Sequence, residues 1–272
     1  MRNFSISPKE MIASGWRNRS LIKALVTREV LGRYSGSVVG ILWSFFNPAL
    51  MLFVYTFVFS VVFKARWGVG SGSKTEFALV LFSGLLVFNL FAEVISRAPG
   101  LILSNANYVK KVVFPLETLP LVALGAAVFH GFVSLLVWLL AYSSLFGLPH
   151  PTVLLIPLVI TPLLLFIVGL AWALASLGVF LRDVSQFIGI IITGLMFLSP
   201  IFYPLTALPQ EYRQMLLFNP LTPAIEMVRD VLYWGRAPDM VILSIYYLAT
   251  AFIAWLGFAW FQKTRKGFAD VL

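Results

Sequence analysis

The sequence predicts an all-α integral membrane protein with six transmembrane helices, on three observations. First, 60% of the 272 residues are hydrophobic and only 11% are charged, whereas soluble domains are about 45–50% apolar and about 25% charged. Second, several charge-free runs reach the roughly 20 residues that cross about 30 Å of hydrocarbon. Third, the longest such run is broken once, by the turn-forming GLPHP at 147–151. This composition excludes a soluble fold, a disordered chain, a coiled coil and a nucleic-acid-binding protein, despite the net charge of +9.

We place the six spans by following the runs that lack Asp, Glu, Lys and Arg. The second run reaches membrane-crossing length only if Glu93 is included. The charge-free run from Thr118 to Leu181 is long enough for two helices joined by the GLPHP turn. Pro200 and Pro204 interrupt the fifth run. The predicted spans are 37–63, 77–96, 118–146, 152–181, 184–203 and 240–262.

The distribution of Lys and Arg predicts the orientation. With both termini in the cytoplasm, 14 of the 20 Lys and Arg residues fall in cytoplasmic segments and 6 fall outside. Cytoplasmic connections carry an excess of these residues, so we expect both termini to be cytoplasmic. The positive net charge then reflects topology and attraction to lipid headgroups. The first 36 residues contain no apolar core with a cleavage site, so we expect no cleaved signal peptide.

The N-terminal segment 1–36 is predicted to be a cytoplasmic amphipathic element. Between Arg17 and Gly36, helical spacing gives two apolar rows, with Lys23, Arg28 and Arg33 between or opposite them. Such a helix suits the membrane surface, or a position between the membrane and a partner protein. A simple interfacial anchor explains the pattern equally well.

The cytoplasmic connection 97–117 is too charged to cross the membrane, yet it carries an apolar cluster. Ser104, Asn105 and Asn107 are residue types that begin helices, and Pro115 ends any helix that starts there. An apolar cluster on a cytoplasmic loop is typical of a binding surface, although a loop folded back onto the bundle is an equal alternative. The cluster comprises Tyr108, Val109, Val112, Val113 and Phe114, beside Lys110 and Lys111.

The outer connection 208–235 is predicted to form two short amphipathic helices hinged at Asn219–Pro220. Thr222 is a suitable N-cap before Pro223, and Gly235 is a suitable helix end. Each helix is too short and too charged to cross a membrane. A re-entrant hairpin that dips in from outside and rests on other spans fits this pattern, and a plain extracellular cap is the alternative.

Aromatic residues make up 15% of the chain. Belts at the two membrane interfaces account for many of them, but in the first span they extend through its whole depth. At helical spacing, Trp43, Phe46, Phe53 and Phe57 share one face. Aromatic faces pack against sugar rings, and they pack against lipid or other helices as well. The residues alone favour the packing interpretation.

Ionisable groups are scarce within the spans. Glu93 precedes Arg97 by four residues, so we expect an i,i+4 ion pair, and we interpret His130 as a packing histidine. Ion-coupled carriers need several ionisable groups near the midplane, channels need a filter and enzymes need a catalytic cluster. The 2 His, 11 acidic residues and absence of Cys supply none of these. A GxxxxGK phosphate-binding loop is also absent, so we expect the energy to come from another protein.

Three segments, in order and at matching spacing, carry a family resemblance. They are GRYSGSVVGILWSFFNPALMLFVYTFVFSVVF at 32–63, SNANYVKKVVFPLETLP at 104–120 and LPQEYRQMLLFNPLTPAIEMVRDVLYWG at 208–235. These segments resemble the permease subunits of type-two ATP-binding-cassette polysaccharide exporters. The resemblance is specific for the family, which exports O-antigen, capsule or teichoic acid, and it does not identify the glycan.

The resemblance implies a homodimer of six-span subunits in the bacterial inner membrane, with two separate ATPase subunits on the cytoplasmic side. ATP and Mg²⁺ would bind to those subunits, so the resemblance implies no cofactor and no catalytic residue in this chain. It implies that the cargo is a lipid-linked glycan, which moves through a channel between the two subunits. The other expected partners are membrane lipids, and no nucleic acid is expected to bind. A stand-alone secondary transporter and an integral membrane glycan-modifying enzyme are the two alternatives.

The resemblance also implies three groups of site residues. Coupling to the ATPase is assigned to Asn107, Tyr108, Val109, Lys110, Lys111, Val112, Phe114, Arg28 and Arg33. Channel-lining aromatics are Trp43, Phe46, Phe53, Tyr55, Phe57, Phe197 and Tyr203. The outer re-entrant helices contribute Asn219, Pro220, Pro223, Glu226 and Arg229.

Overall fold

The computed structural model describes residues 5–62, 67, 74–111 and 114–272, and its all-helical bundle confirms the predicted fold class. No β-strand occurs within these described residues. The α-helices are α1 (Pro8–Arg17), α2 (Arg19–Arg33), α3 (Trp43–Tyr55), α4 (Lys74–Arg97), α5 (Ala106–Lys111), α6 (Thr118–Phe146), α7 (Ile156–Phe180), α8 (Val184–Leu198), α9 (Gln210–Leu217), α10 (Leu221–Arg229), α11 (Met240–Thr264) and α12 (Phe268–Val271). Two π-helical segments, Thr56–Val62 and Asp230–Trp234, continue α3 and α10. Short 3₁₀ turns lie at Gly40–Leu42, Ala98–Gly100, Leu103–Asn105, Pro151–Leu155, Leu205–Ala207 and Arg265–Gly267.

Helix length identifies five of the six predicted spans among the described residues. They are Gly40–Phe59, Thr75–Gly100, Thr118–Phe146, Pro151–Phe180 and Met240–Val271. The predicted span 184–203 contains only the 15-residue helix α8, which is about 22 Å long against about 30 Å of hydrocarbon. α8 ends because Ser199 is extended (ψ 149°), as is typical of a residue that precedes proline. A membrane crossing by this region therefore stays a prediction.

The bundle has two ends, each built from connections that are distant in sequence. At one, which we call the terminal end, α1 contacts the start of α6, and α12 contacts α5. At the other, which we call the hairpin end, the 3₁₀ turn after Gly147 contacts the end of the α10 region. There the Thr152 hydroxyl donates a hydrogen bond to the Val231 carbonyl oxygen (2.7 Å). Gly147 has φ +89°, a conformation that glycine adopts easily in a tight turn.

α8 runs between these two ends. Near its start, Ser185 lines a groove together with Arg97 and Asn105 at the terminal end. Just beyond its last residue, the Ser199 hydroxyl accepts a hydrogen bond from the Asn219 side-chain amide at the hairpin end (2.9 Å). The segment therefore joins the two ends of the bundle although its regular helix is short.

Two glycines allow α7 and α11 to approach closely. A Cβ atom built on Gly257 would lie 2.0 Å from the Gly169 carbonyl oxygen, and one built on Gly169 would lie 2.7 Å from the Ala254 Cα. Both distances are far below van der Waals contact, so a side chain at either position would force the helices apart. Small residues at such contacts are typical of membrane proteins, where close packing drives helix association.

The helix predicted between Arg17 and Gly36 is present as α2, and an additional helix, α1, precedes it in the N-terminal region. Asn18 separates the two helices. α1 begins after Ser7 because the Ser7 hydroxyl accepts a hydrogen bond from the Glu10 backbone N–H (3.1 Å), as an N-cap does. The proline that follows Ser7 fits the first turn of a helix. A prediction based on the amphipathic rows alone misses this start signal.

α2 packs against α6 with one of its two predicted apolar rows. Val26 touches Gly125, where an added Cβ would lie 2.6 Å from the valine Cγ2, and Val30 is buried. On the other side of the helix, Leu31 and Arg28 are exposed. The amphipathic helix is therefore part of the bundle and keeps a free face at the terminal end.

α4 occupies the centre of the bundle, whereas α3 lies at its edge. Of the 18 consecutive apolar residues that identify the span Thr75–Gly100, 78% are buried, whereas none are buried in the corresponding stretch of Gly40–Phe59. The Trp138 indole N–H anchors α4 by donating to the Leu79 carbonyl oxygen (2.9 Å). A long apolar helix without a buried residue needs lipid or another protein against its surface.

Candidate functional site

The connection 97–117, predicted to couple to an ATPase and called the coupling segment below, contains a short helical unit at the terminal end. The 3₁₀ turn Leu103–Asn105 leads directly into α5. The Ser104 hydroxyl donates to the Gly100 carbonyl oxygen (2.8 Å) and the Asn105 amide donates to the Leu101 carbonyl oxygen (2.9 Å). These two side chains therefore hold the preceding turns and do not cap α5, although both were predicted to begin a helix.

Tyr108 and Phe114 stack face to face across this unit. Their ring centroids lie 4.3 Å apart and their planes differ by 9°. Both rings and Val109 are half-buried against the hydrophobic core, while Asn107 is exposed. The three described members of the predicted apolar cluster are thus folded back onto the bundle, beside the exposed Asn107. Outside the described part of this segment lie the side chains of Lys110 and Lys111 and the whole of Val112 and Val113.

Glu117 fixes the end of this segment, and it is not among the residues predicted from sequence. Its carboxylate accepts hydrogen bonds from Arg265 Nη1 (2.7 Å) and from the Ser14 hydroxyl (2.9 Å). Its backbone carbonyl oxygen accepts a third from the Trp172 indole N–H (2.9 Å). The side chains of Glu117 and Arg265 are only 8% and 9% exposed. This contact links α1, α7 and the C-terminal region to the start of α6.

Arg28 and Tyr108 line one groove of about 460 Å³ between α2, the end of α4 and the coupling segment. Arg28 is exposed, so the groove presents a basic and an aromatic side chain together. Arg33, on the same helix, lines a different cavity. The structure therefore brings Arg28 beside the coupling segment and directs Arg33 elsewhere.

Glu93 pairs with Arg33 and His130, so the predicted pair between Glu93 and Arg97 is wrong. Glu93 Oε1 lies 2.5 Å from Arg33 Nη1 and 2.8 Å from His130 Nδ1, while Arg97 pairs with Glu29. The i,i+4 rule considers a helix in isolation. Here α2 lies close to α4 and supplies partners of opposite charge for both residues.

His130 belongs to this charged cluster and does more than fill space. Its ring also lies edge-on to Tyr34, with the centroids 6.2 Å apart. Among the described residues, its Nε2 atom has no hydrogen-bond partner. Burial raises the pKa of the Tyr34 phenol above its ordinary value, so this hydroxyl stays protonated at neutral pH.

The cluster lines a cavity of about 850 Å³ formed by α2, α3, α4, α6 and α8. This volume lies within the range of roughly 300–1,000 Å³ that is typical of small-molecule sites. No sequence pattern predicts the cavity, because its wall is assembled from five separate segments. The wall also includes the Glu29–Arg97 pair, and its other uncharged polar residues are Ser44, Asn47, Tyr55, Asn89, Ser96 and Ser134.

The aromatic residues predicted to line a channel lie mostly on exposed surface. Trp43, Phe46, Phe53 and Phe57 are between 43% and 70% exposed. The π-helical turn that follows Tyr55 shifts Phe57 from its position in a regular helix, so the predicted common face does not continue unchanged. Phe197 is exposed as well. Tyr55 is instead half-buried and lines the cavity, and the Tyr203 hydroxyl donates to the Phe197 carbonyl oxygen (3.1 Å).

The two outer helices have different environments. α10 is buried against α4 and α7, with Leu221 and Ile225 fully inaccessible, whereas α9 exposes Tyr212 and Met215. α10 therefore inserts among the long helices, whereas α9 contacts α10 and is otherwise largely exposed. Of the two helices, only α10 has the packing that a hairpin resting on other spans requires.

The start of α10 differs from the prediction and its end agrees with it. α10 begins at Leu221, whose backbone N–H donates to Asn219 Oδ1 (3.0 Å). Thr222 is therefore inside the helix and not its N-cap, and Pro223 lies in the first turn. The hinge at Asn219–Pro220 separates α9 from α10 as predicted. Gly235, with φ +65°, ends the π-helical continuation, as predicted.

Arg229 fastens α10 to the rest of the bundle. Its side chain is only 2% exposed and donates to the carbonyl oxygens of Val80 (3.2 Å) and Ile201 (2.8 Å). It also donates to the Glu226 carboxylate (2.8 Å) and lies 4.4 Å from the centre of the Trp67 ring. These contacts join α10, α4 and the connection after α8 at the hairpin end.

Burial changes the acidity of both partners in this contact. It lowers the pKa of Arg229 to about 10, against the effect of the Glu226 carboxylate, so the guanidinium remains charged at neutral pH. Burial raises the pKa of the Glu226 carboxyl, against the effect of Arg229. Gly84 on α4 leaves the necessary space, because a Cβ there would lie 2.8 Å from the guanidinium.

Comparison with known proteins gives consistent matches along almost the full chain. Residues 20–233 match the family model for the ABC-2 type transporter. The O-antigen export system permease protein RfbA of Myxococcus xanthus is 28% identical over 257 residues, covering 94% of this chain and 96% of the relative. RfbA of Klebsiella pneumoniae is 26% identical over 254 residues, covering 93% and 95%. The polysialic acid transport protein KpsM of Escherichia coli is 26% identical over 262 residues, covering 94% and 98%.

Proposed function

Because the chain belongs to the ABC-2 type transporter family, we propose that it is the membrane permease of an ATP-driven exporter for a lipid-linked polysaccharide. The observation that carries this proposal is the similarity, over more than nine-tenths of the chain, to permeases named for O-antigen and polysialic acid export. The family membership predicted from three sequence segments is confirmed by the family match. The relatives differ in cargo, so the proposal names the substrate class and not one glycan.

The permease is not an enzyme by itself, and in this proposal a separate subunit binds ATP and Mg²⁺ and hydrolyses the nucleotide. We assign the docking of that ATPase to the groove between α2 and the coupling segment. Its exposed Arg28, its half-buried Tyr108 and the neighbouring exposed Asn107 support this assignment. One ATPase per permease gives two in a dimeric exporter.

In the proposed topology, the terminal end faces the cytoplasm and the hairpin end faces outward from the inner membrane. The excess of Lys and Arg in the segments of the terminal end supports this orientation. The course of α8 from one end to the other supports a sixth crossing, with both chain termini inside. The burial of α10 supports a re-entrant outer hairpin.

A second copy of the chain is proposed to pack near α3 and to form the cargo path at the contact. The support is that α3 carries large aromatic side chains and buries none of its residues within its own chain. A neutral aromatic surface lets a hydrophilic polymer slide without the deep binding wells that charged groups would create. Strong binding would oppose release.

Movement of the ATPase would reach the long helices through two firm contacts. The stack of Tyr108 on Phe114 holds α5 against the core, and the Glu117–Arg265 pair ties the end of the segment to the C-terminal region. A push on α5 would therefore displace α6 and α11 together instead of bending a loose connection.

Purification and transport test this function directly. We expect the tagged chain to co-purify with an ATP-binding-cassette ATPase from its own organism. Deletion of the permease should stop surface display of the glycan and leave the glycan inside the cell. Inverted vesicles should take up lipid-linked glycan only with ATP. Ion-driven uptake without any ATPase would identify a stand-alone secondary transporter. Turnover of a soluble glycan acceptor in detergent without nucleotide would identify an enzyme.

A further inference from the structure

The cavity that contains the Glu93 cluster has an unexpected wall for a bundle of apolar helices. Asn89 is exposed into it from α4, although its neighbours Phe88 and Leu90 are buried. Asn47 is exposed into the same cavity from α3. Within the described residues, neither side-chain amide forms a hydrogen bond with another protein group. Two amides on different helices therefore face one space with their donors and acceptors unused.

These amides limit what the cavity can contain. A polar group in an apolar environment costs about 2–7 kcal/mol when it lacks a hydrogen-bond partner, and hydrocarbon supplies none. The cavity must therefore hold water or a polar ligand. A carboxamide offers two donors and an acceptor, which match the paired donor and acceptor character of sugar hydroxyl groups. The nearby hydroxyls of Ser134 and Tyr55 extend this pattern.

The charges on the wall cancel in pairs. Glu93 is held by Arg33 and Glu29 is held by Arg97, so each cation on the wall already has a carboxylate partner. Binding sites for phosphate or for acidic sugars use cations that are free to make charge-assisted hydrogen bonds. This wall therefore suits an uncharged ligand better than a polyanion.

We propose that this cavity, within a single protomer, is a carbohydrate subsite that holds uncharged sugar units of the exported glycan through Asn47 and Asn89. The inference rests on the proposed function and adds the substrate class, a neutral glycan. The subsite is formed by helices of one chain, whereas the proposed path lies where α3 of two copies meets, so α3 would contribute to both. Its volume of about 850 Å³ accommodates a short oligosaccharide.

Cysteine labelling tests the subsite, because the chain contains no cysteine and each introduced thiol is the only one in the chain. The variants are N47C, N89C and the nearly isosteric S134C, each quantified in the membrane. The reagent is the water-soluble trimethylammonium-ethyl methanethiosulfonate, applied to inverted vesicles. One set of vesicles comes from cells that make the glycan, and the other from cells in which its synthesis is genetically blocked.

We expect all three cysteines to react with the reagent, and to react several-fold more slowly in vesicles that contain the glycan. R182C, on the exposed connection before α8, should react at the same rate in both sets, and L248C, exposed on α11 away from the cavity, should not react. Absence of reaction at all three cavity positions, or equal rates with and without glycan, would overturn the proposal. S134C decides the matter if the Asn variants fail to assemble.

A competition experiment tests the neutral character of the ligand. In vesicles without glycan, maltotriose should slow labelling of N89C several-fold, whereas a trimer of sialic acid should not. Protection by the acidic trimer alone would contradict the assignment to uncharged sugars. If deletion of the chain leaves surface glycan intact, the proposed function fails; if export requires the chain while labelling ignores the glycan, only the subsite fails.

Discussion

The Glu117 carboxylate and the Arg265 guanidinium form a buried ion pair, with Oε2 and Nη1 2.7 Å apart, that joins the coupling segment to the C-terminal region. Each charge is tolerated in the interior because the other one is present. The two residues are 148 positions apart in sequence. Their contact holds the segment on which the proposed ATPase would act.

We expect Glu117→Ala to destabilise the protein by about 3–5 kcal/mol, because it leaves Arg265 charged and buried without its carboxylate. The midpoint of thermal unfolding in detergent measures this loss. Arg182→Ala, which removes an exposed charge, should leave the midpoint unchanged. The double variant E117A/R265A should lose less than the sum of the single losses, and a simple sum would show that the two residues are not coupled.

We expect Tyr108→Asp and Phe114→Asp to separate ATP hydrolysis from export. An introduced carboxylate would break the ring stack while the rest of the bundle keeps its contacts. Hydrolysis by the co-purified ATPase should continue while surface glycan falls several-fold, as measured by immunoblotting. Tyr108→Phe preserves the stack and serves as the control. Normal export by both Asp variants would remove the coupling role from this segment.

We expect Arg229→Lys to destabilise the hairpin end although it keeps the charge. Lysine lacks the planar fork that reaches the Val80 and Ile201 carbonyl oxygens together, and each unsatisfied buried group costs about 1–3 kcal/mol. Protease sensitivity of α9 and α10 in vesicles should rise and export should fall. Arg182→Lys, on the exposed connection before α8, should change neither. An unchanged R229K variant would mean that α10 does not depend on this contact.

We expect Gly257→Ala to lower stability, although alanine is normally about 1 kcal/mol better than glycine in a helix. The added methyl group would lie 2.0 Å from the Gly169 carbonyl oxygen, and overpacking of this kind costs about 1–3 kcal/mol. Gly189→Ala on α8, where nothing lies within 4 Å of the added atom, is the matched control and should be neutral or stabilising. Thermal unfolding of both variants compares the two effects.

We expect a cysteine at Phe53 to cross-link two copies of the chain. Phe53 is 70% exposed on the helix proposed to face the partner copy, so oxidation of F53C in membranes should give a disulfide-linked dimer on non-reducing gels. L248C, 74% exposed on α11, should remain monomeric. Cross-linking of L248C without F53C would move the contact between copies from α3 to α11.

Local sequence patterns predict the helices of this protein well, but they predict poorly which helices pack against one another. The run 118–146 is a single helix in the structure, because its apolar stretch is uninterrupted and the glycine that follows ends it. Both signals are visible in the local sequence. The span with Glu93 has the shortest charge-free run in the sequence and yet becomes the buried centre of the bundle. Burial depends on which helices surround it, and a single run of residues contains no such information.

The candidate sites show the same division. Tyr108 and Phe114 are recognisable from sequence because they form one short apolar cluster. The partners of Glu93 and Glu117 come from positions that are 60 and 148 residues away, so spacing along one helix cannot find them. Glu117 does carry one available signal: it is the formal charge directly before the longest charge-free run. Asn89 carries another, as a carboxamide between buried apolar residues.

The contacts of Arg229 have a consequence for biogenesis. The carbonyl groups that receive its guanidinium belong to Val80 and Ile201, which leave the ribosome earlier than α10. An arginine enters the lipid phase unaided only at a cost of about 2.5–3.5 kcal/mol. If α10 is re-entrant as proposed, we expect its docking to follow that of α4 and the connection after α8, because those segments supply the acceptors for its guanidinium.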